Sequence, residues 1–102
     1  ATYAELGDRN GEANAHLGKG AVAVLEERWP EAEAAYLSAG EIFTELGNRF
    51  GGGTALRGRG TAAAGAGDVE RARPLLEEAL GVYRGLRSPA ALRVEEELRG
   101  LG

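Results

Sequence analysis

An all-α fold, with antiparallel helix-turn-helix repeats stacked as a right-handed solenoid, is predicted by three features of the sequence. A pattern recurs every forty residues, each copy carries apolar side chains at helical spacing, and turn and capping residues stand at matching places. Glu5-Leu6-Gly7-Asp8-Arg9 returns as Glu45-Leu46-Gly47-Asn48-Arg49. The same offset maps Gly11 to Gly51, Ala15 to Ala55, Gly18 to Gly58, Gly20 to Gly60, Ala23 to Ala63, Ala32 to Ala72 and Ala39 to Ala79. Residues 1–102 read as one domain: 1–7 as the end of a truncated preceding helix, 8–47 as repeat 1, 48–87 as repeat 2, and 88–102 as a half repeat or capping helix.

Each copy resolves into two helices. The first halves start at Asp8, Asn48 and Ser88, all good N-cap types, with Pro89 placed for a first helical turn. Helices are expected near 9–27, 49–66 and 89–101. In the second halves Trp29, Ala32, Tyr36, Ala39, Ile42, Phe43 and Leu46 recur at three- and four-residue spacing, as do Val69, Ala72, Leu76, Ala79, Val82, Tyr83 and Leu86. These predict amphipathic helices near 29–46, with Pro30 in the first turn, and 69–86, with Asp68 as N-cap.

Three local expectations follow. Gly51-Gly52-Gly53 weakens the start of the middle helix, because each helical glycine costs about 1 kcal/mol relative to alanine. Pro74 lies too deep for a first-turn proline and predicts a bend or a lost hydrogen bond. Gly18, Gly20, Gly58 and Gly60 mark places where a neighbouring helix approaches too closely for a side chain. The shared core is expected to hold Ala32, Tyr36, Ala39, Leu56, Gly60, Ala63, Ala72, Leu76 and Ala79. No segment alternates β-branched residues as a strand would.

The net charge of −4 argues against direct nucleic-acid binding, which needs clustered positive charge to neutralise phosphates. No apolar run is long enough to cross a bilayer, so no membrane role is expected and the default compartment is cytoplasmic. Cysteine is absent, which excludes a disulfide framework, a thiolate metal site and a thiol nucleophile. His16 is the only histidine, and neither Ser38 nor Ser88 has a histidine at a matching repeat position to act as base, so no enzyme and no cofactor are predicted. Lys19 is the only lysine among many arginines, and with the abundant alanine and glycine it suggests a GC-rich bacterial source.

On these residues the chain resembles the tetratricopeptide repeat family over nearly its whole length. The second copy carries the resemblance best, with Leu56, Gly60 and Ala63, the turn Gly67-Asp68, then Ala72, Leu76, Ala79 and Leu80. The first keeps Gly20, Ala23, Ala32, Tyr36 and Ala39, but Glu27-Arg28 replaces the turn glycine and aspartate. The period exceeds the family's usual length of about 34 residues, and the long form is similar to arrays in large bacterial transcriptional regulators and signalling ATPases. The resemblance implies a non-catalytic scaffold that binds a protein or peptide in a groove lined by the first helices.

Charge adds an expected ligand. Arg49, Arg57 and Arg59 concentrate positive charge on the first helix of the second copy, with Arg93 on the corresponding helix of the third. An acidic or carboxylate-bearing peptide is expected along Arg49, Arg57 and Arg93, with Asn14 and His16 at the groove's other end. The competing reading of these arginines is that they cover apolar surface or pair with glutamates of the neighbouring copy. The alternative function is a structural or oligomerisation spacer with no groove ligand. The register also aligns Ala1-Thr2-Tyr3-Ala4 with Glu41-Ile42-Phe43-Thr44, so the N-terminal end is read as cut and as a surface for self-association. Leu92, Leu98 and Leu101 form an apolar stripe beneath the polar Arg93, Glu95, Glu96 and Arg99, as a terminal capping helix requires.

Overall fold

The computed structural model describes the backbone of residues 3–102 and the side chains of residues 7–102. It consists of five α-helices in succession: α1 (Tyr3–Leu25), α2 (Trp29–Leu46), α3 (Arg49–Gly65), α4 (Val69–Gly85) and α5 (Ala90–Gly100), with no strand among the described residues. Each helix packs chiefly on its neighbours in the chain, which makes the molecule a helical repeat solenoid.

The first four helices are ended by the same turn. The N–H groups of Arg28, Asn48, Asp68 and Ser88 reach back to the carbonyls of Ala23, Phe43, Ala63 and Tyr83 at 2.8–2.9 Å, and the residue before each bonds three residues back. This is the Schellman arrangement, which needs a left-handed residue just past the helix. Gly47 and Gly67 supply it without strain, whereas Glu27 and Arg87 adopt φ 57° and φ 55° in the equivalent places. Asn48 and Asp68 then cap the next helices, their side chains accepting the N–H of Gly51 at 2.9 Å and of Arg71 at 3.1 Å. Ser88 Oγ accepts from the N–H of Ala90 at 3.2 Å, and the helix proper begins at Ala90.

Asp8 does not play the part expected of it. The helix runs through it from Tyr3, because Gly7, unlike Gly47, takes no positive φ and leaves the chain helical. The alignment of residues 1–4 with 41–44 falls on residues outside the described side chains, and Ala1 and Thr2 lie outside the described residues altogether. At Pro74 α4 continues without interruption to Gly85. The carbonyl of Glu70 cannot receive the usual N–H from a proline four residues on, but both residues are exposed, so water can take the donor's place.

Of the expected core, Ala32, Ala39, Gly60, Ala63, Ala72, Leu76 and Ala79 are buried. Tyr36 and Leu56 are only half-buried, for different reasons. Tyr36 is wedged between two glycines: a Cβ on Gly20 of α1 would lie 2.7 Å from its Cζ, and one on Gly58 of α3 would lie 2.4 Å from its Cδ1. Leu56 faces a groove rather than the core. The wedge belongs to a series. Trp29, Tyr36 and Phe43, seven residues apart along α2, press on Gly65, Gly58 and Gly51, seven apart along the antiparallel α3, and a Cβ on any of the three would come within 2.4–2.5 Å of the facing ring. Seven residues are almost two helical turns, so the three rings share one face of α2 and the three glycines one face of α3. The glycines at the start of α3 therefore do more than weaken it. Gly51 admits Phe43, and Gly53 admits Val82 and Tyr83 of α4 at 3.0–3.1 Å. Gly18 departs from expectation, since nothing among the described residues lies within 4 Å of its Cβ position.

Candidate functional site

The two sides of α3 differ. Phe50, Thr54, Arg57 and Thr61 recur at three- and four-residue spacing and form one face; Arg49, Gly52, Leu56 and Arg59 form the opposite one. On the first face Arg57 Nε donates to Glu97 Oε1 of α5 at 2.6 Å, and the Thr61 hydroxyl donates to Glu97 Oε2 at 2.9 Å. The guanidinium also forms an ion pair with the same carboxylate. Nearby, the Thr54 hydroxyl and the Tyr83 hydroxyl are hydrogen-bonded at 2.9 Å, and the Phe50 and Tyr83 rings meet with centroids 5.4 Å apart. Burial pushes the Tyr36 hydroxyl above its usual pKa, with the charge of Arg57 opposing the shift.

The second face is the floor of a groove of about 600 Å³, walled by α2 and α4. Leu56, Gly52, Gly53 and Ala55 line its floor; Leu37, Gly40 and Thr44 come from α2 and Val82 from α4. Four charged residues border it: Arg49 and Arg59 from α3, Glu41 from α2 and Glu78 from α4. None of the four makes an ion pair or side-chain hydrogen bond among the described residues, whereas Arg9, Arg28, Arg57, Arg71 and Arg84 all do.

Against this geometry the five residues singled out from sequence do not share a site. Arg49 borders the groove between α2 and α4, and Arg57 is held by Glu97 on the other side of α3. Arg93 is exposed on α5, Asn14 is exposed on α1, and His16 is half-buried on α1; none of these three lines that groove. The pairing of Arg57 with a glutamate forty residues on is the competing reading of the arginines realised at one position. Sequence reasoning missed Leu37, Glu41, Glu78 and Val82 as groove residues, and named Arg59 only for its charge. The usable signal was Arg49, Leu56 and Arg59 recurring on the side of α3 turned away from Gly51, Gly58 and Gly65.

Stacked helix pairs with an open, charge-bordered groove define a helical-repeat scaffold. More particularly, the chain belongs to the tetratricopeptide repeat family, whose family model matches residues 11–85, most of its length. No curated protein and no solved structure matches it. Proteins of this family generally mediate protein–protein interaction and are generally non-catalytic. No helix among the described residues is long and apolar enough to cross a membrane.

Proposed function

We propose that this chain is a protein-binding module of a larger regulatory or signalling protein, and that a segment of the partner lies in the groove between α2 and α4. The observation that carries the reading is the groove itself: an apolar floor centred on Leu56, bordered by four charged residues that find no ion pair among the described residues. Arg87, Arg93 and Arg99 are also without ion pairs among the described residues, so what distinguishes Arg49, Arg59, Glu41 and Glu78 is their place around one apolar floor, where charge beside apolar surface favours contact with another molecule. Arg49 keeps the role expected from the sequence, with Arg59 in place of Arg57 as its companion. Asn14, His16 and Arg93 would serve a second contact on the first-helix side, and Arg57 would add to it only by leaving Glu97.

A second reading, the oligomerisation spacer, is favoured by one observation on α1. Leu25 is 84% exposed and Val22 is 54% exposed. Leu25 stands in solvent at the end of α1, and Val22 borders a shallow cleft shared with Glu31 and Ala35 of α2. One experiment separates the two. A photo-crosslinking phenylalanine is placed singly at Leu56, at Val22 and at the exposed Leu92 of α5, and the adducts formed in cells are identified by mass spectrometry. Adducts to a different protein at position 56 and not at 92 are expected. Adducts at position 22 alone, to further copies of this chain, would replace the binding module with the spacer.

A further inference from the structure

Resting on that reading of the groove, we infer that its occupant is an amphipathic helix with an acidic residue near each end of its apolar stripe and a basic residue midway. Arg49 and Arg59 are ten residues apart in one helix, which at 1.5 Å per residue sets them about 15 Å apart along the groove. The two acids stand between them. Gly40 lies against Ala55, with the added Cβ 3.3 Å away, so its neighbour Glu41 is level with Thr54, midway between the two arginines. On the other wall Val82 lies against Gly53 and Leu76 against Gly60, which sets Glu78 level with the residues just before Arg59. The groove is thus positive at both ends and negative on both walls between.

Length and polarity then select the occupant. Both walls run antiparallel to α3, so the groove follows that helix, and its floor offers Leu56 with Leu37 and Val82 on either side. An extended peptide would need its backbone N–H and C=O groups satisfied, and these helical walls present no free edge to do so. A helix satisfies its own backbone and needs only an apolar stripe. Residues about eleven apart return to the same face after three turns and span about 16 Å, which matches the separation of the two arginines. Acids at those places meet Arg49 and Arg59, and a lysine or arginine between them meets Glu41 and Glu78.

The test uses two synthetic helical peptides with the same leucine stripe. One has glutamates eleven residues apart at its ends and lysines in the middle; the other has these charges exchanged. Binding to the wild-type protein is measured by fluorescence anisotropy of labelled peptide, and repeated with the double variant R49E/R59E after circular dichroism confirms that it is folded. The acid-ended peptide should bind about tenfold more tightly than its charge-exchanged counterpart, since two pairs turn from repulsive to attractive. The double variant should abolish or reverse the preference, and high salt should narrow it. Equal binding of both peptides would overturn the charge pattern and leave an apolar groove. Failure of both to bind would overturn the helical occupant, while an adduct to a partner at position 56 would still uphold the binding module; with neither, both fall.

Discussion

A methyl group placed on Gly18 meets nothing among the described residues within 4 Å, whereas one on Gly58 lands 2.4 Å from the ring of Tyr36. The two glycines are equivalent in the repeat, so the difference is owed to surroundings and not to backbone preference. Gly18→Ala should therefore stabilise the protein by about 0.5 to 1 kcal/mol, the ordinary gain of alanine over glycine inside a helix. Gly58→Ala should lose stability by about 1 to 3 kcal/mol despite the same gain, because Tyr36 cannot retreat with Gly20 pressed on its other side. Urea unfolding of the two variants checks the sign as well as the size. Equal effects would mean that the ring moves freely.

At the scale of elements, α4 gives a separate expectation. Pro74 sits six residues into the helix with an exposed side, so Pro74→Ala restores an N–H to the Glu70 carbonyl and removes the ring's clash with the preceding turn. Thermal unfolding should show a gain of about 1 to 3 kcal/mol, and no gain would mean that the helix already accommodates the ring fully. Helices were the most legible part of the sequence. Their periodicity set α2 through α5 to within a residue or two of the observed ends, because the Asn48 and Asp68 caps and the Gly47 and Gly67 turns act locally. Where the outcome depended on a neighbour, sequence was a poorer guide. Asp8 has the composition of a cap, but nothing local obliges Gly7 to leave the helix. Gly51 reads as a weak helix residue until Phe43 is seen against it. The groove was less legible still. Its walls come from α2 and α4, about forty residues apart, and charge alone could not say which arginines turn toward them and which, like Arg57, turn toward α5.

Across the whole molecule, ion pairs cross both junctions between copies but in different layers: Arg71 to Glu33 joins the second helices of the first two copies, and Arg57 to Glu97 joins the first helices of the last two. Such pairs are modest in partly exposed positions. Glu97→Gln should cost about 0.5 to 1 kcal/mol at low salt, and most of that difference should vanish in high salt as the charges are screened; a loss independent of salt would show that the Thr61 hydrogen bond, and not the charge, matters.

The aromatic and glycine series between α2 and α3 sets a limit on how such an array can evolve by gain or loss of units. Its counterpart between α4 and α5 uses different sizes, with Val69, Leu76 and Tyr83 at the positions of the three rings, and Ala91 and Leu98 at those of Gly51 and Gly58. Excising residues 48–87 would bring Tyr36 onto Leu98, a collision at a place where the ring now has a glycine on either side. Duplicating the same residues would set Leu76 over a second Gly58 and Val69 over a second Gly65, leaving voids where Tyr36 and Trp29 now fit. The copies share a period but not a joint, and unequal recombination between them would yield a misfit seam in either direction until a large side chain and its facing glycine changed together.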